Sequence, residues 1–281
     1  AIAGQKIWVA AGTYKPSIEP DGTMDEPRKF TFQMVEGVEI FGGFSGTEDP
    51  DVFDLDTRDF ATNETILSGD LSGNDEFDIT KFNAYRNGTG DENCYQVIFN
   101  SAPTLTSLAV LDGFTITGGF ANTGFPGGSG AGMLNLSGSP TVRNTIFKHN
   151  MCYDGGILTY LYSHGAQLSN LSFIENNGGD GGGGLFFYEM VSPSVLTNAL
   201  FLNNKGGDGG GLENVNSTTT INNATFTGNQ AFNYGGAIIN RFNGTLTLNN
   251  CIIWDNSADG DGNEIYHDGN TTSLNHCCYR N

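Results

Sequence analysis

A three-point pattern recurs six times through the second half of the chain and leaves few folds open. An apolar centre carries Asn three residues before it and three after it. The copies are Asn144, Phe147, Asn150; then Asn170, Phe173, Asn176; Asn198, Phe201, Asn204; Asn223, Phe226, Asn229; Asn250, Ile253, Asn256; and Asn275, Cys278, Asn281. The centre advances by 26, 28, 25, 27 and 25 residues. A glycine marker runs between the copies: Gly155-Gly156-Ile157, Gly183-Gly184-Leu185, Gly210-Gly211-Leu212, Gly235-Gly236-Ala237-Ile238 and a weakened Gly262-Asn263-Glu264-Ile265. Such self-similarity at a fixed period is the signature of a repeat architecture.

The residues inside each period decide what is stacked. They are rich in Gly, Asn, Thr and β-branched residues, which disfavours helix. Leu168 to Phe173 and Leu246 to Leu248 alternate as short strands do. Short strands bounded by Asn and Gly turns, once per period, wind into a coil of two or three strands, and successive coils pair parallel at about 4.8 Å. The expected fold is all-β: a right-handed parallel β-helix, or solenoid, with ~26-residue coils. Asn tolerates left-handed turns, and stacked Asn side chains can bond the copies above and below. The Phe centres should form an apolar column inside.

The first hundred residues fit less regularly. Ile7 to Tyr14, Val38 to Phe44 and Thr65 to Asp70 read as strands of the first coils. Asp49 to Asn63 and Asp70 to Asn93 read as polar loops projecting from the solenoid. Leu111 to Gly119 reads as an early coil with glycine in the Asn positions. With no Pro/Ser-rich linker, residues 1–281 read as one domain: irregular first coils over 1–110 and regular repeats over 111–281. Both ends look cut from a longer polypeptide, with any signal, anchor, further repeats or cap lying outside it.

Composition excludes some partners. The net charge of −19 opposes nucleic acid and anionic lipid. The longest apolar runs fall far short of the ~20 residues of a membrane helix. Cys94, Cys152, Cys251, Cys277 and Cys278 show no metal-ligand spacing and read as small core residues, although an odd count in an extracellular chain would leave one thiol unpaired.

The repeated Phe-x-x-Asn with Gly-Gly-Ala-Ile or Gly-Gly-Gly-Leu resembles the repeat of chlamydial polymorphic outer-membrane proteins. It also resembles large secreted β-helix proteins of environmental bacteria, within the pectin-lyase-like superfold. Ile7-Trp8-Val9-Ala10-Ala11-Gly12-Thr13-Tyr14-Lys15, Phe41 to Phe44 and Ile66 to Asp70 are similar to the first coils of those proteins. The resemblance implies a secreted or cell-surface chain. It says little of activity, because the superfold hosts adhesins, lyases and glycosidases.

Candidate chemistry is sparse. Lyases of this fold use Arg or Lys with calcium, but Arg143, Lys148, Lys205, Arg241 and Arg280 share no column. Glycosidases of this fold use stacked carboxylates, for which Asp154, Glu175, Glu189, Glu213, Asp255 and Glu264 are the candidates. Glu175 and Asp255 share a repeat position, but the two coils between them carry Asn203 and Gly228 there. Asp154, Asp180, Asp208 and Asp261 each precede the glycine marker, with Asn233 in the remaining coil. Stacked carboxylates of this kind would suit calcium, the only cofactor the pattern suggests; Asp-Gly turn chemistry explains them equally. No catalytic residue is assigned. The expected function is a structural or adhesive module binding another cell-surface protein or polysaccharide, with self-association as a variant. The alternative is a carbohydrate-active enzyme, a polysaccharide lyase or glycoside hydrolase. Trp254 and Tyr279, neighbours in one column by the repeat alignment, would serve glycan or partner binding.

Overall fold

A computed structural model describes residues 1–76 and 89–280. Among these the chain is β throughout, apart from three single-turn 3-10 helices at Pro27–Lys29, Leu55–Thr57 and Thr89–Glu92. It is a parallel β-solenoid. One coil illustrates the path: strand Ser194–Leu202 lies in a long sheet, Lys205–Asp208 in a narrow one and Leu212–Val215 in a third, before Thr218–Thr227 re-enters the long sheet. The long sheet is continuous from Lys6–Ala10 to Thr271–Asn275.

The apolar centres fall in register, Phe147 on Phe173 on Phe201 on Phe226 on Ile253. Their rings stack nearly parallel, with centroids 5.2, 4.7 and 4.2 Å apart. Strand spacing alone brings the rings to stacking distance, so the repeat builds its own core. Cys94, Cys152 and Cys251 are buried within it, Cys277 is half-buried and Cys278 exposed, none of them disulfide-bonded.

Two asparagine ladders brace this column. Asn150, Asn176, Asn204, Asn229 and Asn256 are buried, and each Nδ2 donates to the Oδ1 of the next, at 3.3, 2.9, 2.9 and 2.8 Å. The rungs are 26, 28, 25 and 27 residues apart. Each Oδ1 from Asn176 onward also accepts the backbone N–H of the preceding rung. The other ladder is solvent-facing and runs the opposite way: Asn170, Asn198 and Asn223 each donate to the rung before them. Its backbone is left-handed, with φ of 50, 53, 56, 56 and 54° from Asn144 to Asn250. These are the conformations that Asn accepts at least cost among non-glycine residues.

Two details depart from the sequence alignment. In the last coil Ile252 pairs with Cys278 and Ile253 with Tyr279, one residue off the expected copy. His276, at φ 54°, takes the left-handed place, and Asn275 bonds Asn249 instead. Tyr279 therefore follows the register of the Phe column and shares no column with Trp254, although both side chains are exposed; Asn281 lies outside the described residues. In the glycine marker, Leu158 and not Ile157 pairs with Leu185, because Ile157 occupies the turn position that Gly184 fills in the next coil.

In the early coils, the Asp49–Asn63 segment leaves the solenoid but is tied back by Arg58. Its guanidinium lies over the Phe41 and Phe60 rings and, with Arg143, flanks the buried Asp112 at 3.1 and 2.6 Å. Part of the expected Asp70–Asn93 loop falls outside the described residues.

Candidate functional site

The third sheet holds the most distinctive surface. Its strands include Met133–Leu136, Leu158–Leu161, Leu185–Tyr188, Leu212–Val215 and Ile238–Arg241. Side chains alternate along a strand. The first residue of each, from Met133 to Ile238, enters the main core, so the second and fourth face outward. Those outward positions would ordinarily be polar. Here Leu134, Leu161, Phe186 and Val215 form a second buried cluster.

The 122–130 segment covers one end of that face. Gly130 has φ +65°, and a Cβ there would stand 2.6 Å from Leu134 Cβ, so only glycine allows the chain to pass so close. Gln96 Nε2 donates to the carbonyls of Gly127 and Ser129, which ties the segment down. Phe125 is thereby set against Tyr188, centroids 5.5 Å apart. Tyr162 and Phe186 also pack on Tyr188, at 5.7 and 5.8 Å.

Beside these rings is a cleft of about 330 Å³, lined by Phe125, Asp154, Asp180, Phe186, Tyr188, Glu213 and Arg241. Arg241 reaches across two strands. Its Nη1 lies 2.6 Å from Asp208 Oδ2, and its Nη2 donates to Glu213 Oε1. Burial pushes the Glu213 carboxyl up to about 7, against the pull of Arg241, and Asp208 nearby adds to the rise. Burial also raises Asp154, offset by the Phe125 N–H and reinforced by the charge of Asp180.

The candidate residues of the sequence therefore sort themselves. Asp154 and Asp180 line the cleft, Asp208 sits behind it under Arg241, and Asp261 is exposed two coils further along. Among the described residues no three His, Cys, Asp or Glu side chains come together as a metal-binding group. Of the carboxylates considered for hydrolysis, Asp154 and Glu213 meet here. Glu175 instead pairs with His149 at 3.2 Å, and Glu264 accepts from Asn256. Arg143 is held by Asp112 and Lys148 by Glu64. The aromatic wall was not singled out from sequence. Its signal is large rings at outward strand positions, Phe186 and Tyr188, where alternation predicts polar residues.

A larger hollow of about 480 Å³ lies beside Trp8, Phe44 and Glu48. There the Glu48 carboxylate is already engaged by the N–H groups of Ser45, Gly46 and Thr47, which leaves little to recognise a ligand.

Compared with protein-family models, curated proteins and solved structures, the chain has no match. Among the described residues no helix is long and apolar enough to cross a membrane.

Proposed function

We propose that the chain is an extracellular adhesive module, a stiff solenoid that holds a glycan in the cleft of its third sheet. One observation carries the reading: aromatic rings and hydrogen-bonding carboxylates converge on a surface cleft, the combination that binds the apolar faces and hydroxyls of sugars. The resemblance of the repeats to pectin-lyase-like and chlamydial surface proteins supports a secreted or cell-surface setting. So does the way the regular residues are spent on core and ladders, which makes a long scaffold for a local site.

A second reading is a glycoside hydrolase. It is favoured by Glu213, a carboxyl raised to about 7 in the same cleft as Asp154; a carboxyl still partly protonated near neutrality can serve as general acid. Against it, Glu213 is 1% exposed and locked to Arg241.

Affinity electrophoresis of the whole chain against neutral, acidic and amino polysaccharides tests the first reading, with Tyr188→Ala as the control. Retardation that Tyr188→Ala abolishes is expected; no retardation on any polysaccharide refutes the glycan-binding reading. New reducing ends released in the same mixtures would replace it with the enzymatic one.

A further inference from the structure

The charges around the cleft do not balance. Asp208 and Glu213 share the single guanidinium of Arg241, whereas Asp154 and Asp180 enter no salt bridge among the described residues. Asp208 keeps only 8% of its surface, and among the described residues its Oδ1 has no hydrogen-bond partner, nor does Nε of Arg241. Asp208 and the partly protonated Glu213 thus take up the one cation, and the uncompensated negative charge of Asp154 and Asp180 lies in the cleft alongside a wall of rings. The faces of aromatic rings attract cations, most strongly where water is partly excluded.

The chemistry narrows the occupant. A uronate would meet the carboxylates of Asp154 and Asp180 and be repelled. A metal ion would need several oxygen ligands converging on one point, and no three such side chains do so among the described residues. A peptide adding itself as a strand would need an open sheet edge. The cleft instead lies over Leu185–Tyr188, which is paired on both sides. An alkylammonium group suits both walls, since carboxylates accept its N–H donors and the aromatic rings lining the same cleft favour a cation beside them.

We propose that the cleft takes an amino sugar bearing a free, protonated amine, seated between the Asp154 and Asp180 carboxylates and the rings of Phe125 and Tyr188. This rests on the glycan-binding reading above and narrows it to one class of sugar.

Calorimetric titration of the whole chain tests it with three soluble oligosaccharides: a β-1,4-glucosamine hexamer, its fully N-acetylated counterpart and an oligogalacturonate. A lysine-rich peptide serves as a fourth probe, and all are run at a pH where the amines are protonated. The free-amine hexamer should bind at least tenfold more tightly than the acetylated one. Asp180→Asn should remove most of that difference, and circular dichroism should show it folded, because the Asp180 side chain is exposed. Equal or tighter binding of the acetylated or acidic sugar overturns the amine inference and leaves glycan binding standing. Binding of none of the sugars overturns both. Amine binding untouched by Asp180→Asn places it elsewhere and overturns the assignment, as does tighter, Asp180-dependent binding of the peptide.

Discussion

The buried asparagine ladder should hold the coils together far more strongly than the exposed one, and Asn204→Ala against Asn198→Ala measures the difference. Asn204 is fully buried. Its Nδ2 donates to Phe173 O at 2.8 Å and Asn229 Oδ1 at 2.9 Å, and its Oδ1 accepts from Asn176 N and Nδ2 at 3.1 and 2.9 Å. Alanine removes all four bonds where water cannot replace them. At roughly 1 kcal/mol each, the loss is about 4 kcal/mol, and groups left without partners push it higher. Asn198 donates to Asn170 at 3.1 Å and accepts from Asn223 at 3.2 Å, both exposed. Water takes over those bonds, and the main cost is alanine at φ 56°, about 1 kcal/mol. Urea unfolding of the two variants beside the parent, followed by far-UV circular dichroism, should show a gap of about 3 kcal/mol. Equal losses, or a loss below about 1 kcal/mol for Asn204→Ala, would refute the idea that the buried ladder secures the stacking.

Two further outcomes follow from burial. The folded chain keeps the Glu213 proton up to about 7, whereas a solvent-exposed glutamate in the unfolded chain loses it near 4.5. Below 4.5 both states are protonated and Glu213 contributes nothing to pH dependence; between about 4.5 and 7 stability should fall as pH rises, by an amount on the order of 3 kcal/mol, and level off above. Glu213→Gln should flatten that part of the profile, and an unchanged slope in urea unfolding would exclude Glu213 as its source. Cys94, Cys152 and Cys251 are buried, and burial raises the Cys94 thiol to about 12 and Cys251 to about 11. A thiol-reactive reagent such as DTNB should therefore label Cys277 and Cys278 quickly and the other three only in denaturant; rapid reaction of a third thiol would contradict the packing.

The scaffold was legible in the sequence because its information is repetitive. Each Phe centre and each Asn rung is written several times, so single exceptions do not hide the period. Where a copy degenerates, the reading slips. Asn275 imitates a ladder residue while His276 takes the left-handed place, and Ile157 and Leu158 are both apolar, so only pairing decides which one faces Leu185. The cleft was legible in fragments only. Asp154, Asp180 and Asp208 stand out as a pre-glycine series, Glu213 and Arg241 as separate charges, and nothing in the sequence joins them, since residues 28 or 33 positions apart become neighbours only once the coil length is fixed. Residues 122–129, Phe125 among them, carry no repeat signal; only Gly130 does, as the start of an earlier copy of the glycine marker.

The direction of the ladders bears on how such a rod carries load. The bonds between coils run along the solenoid axis, so tension applied through the chain ends meets them one rung at a time and never in parallel shear. The molecule should come apart by peeling, coil after coil from an end. Each release would free 25 to 28 residues, or roughly 85 to 95 Å of extended chain, against about 5 Å of axis given up. A surface tether built this way would lengthen in even steps under force, with the cleft kept intact until the peeling front reached its own coils.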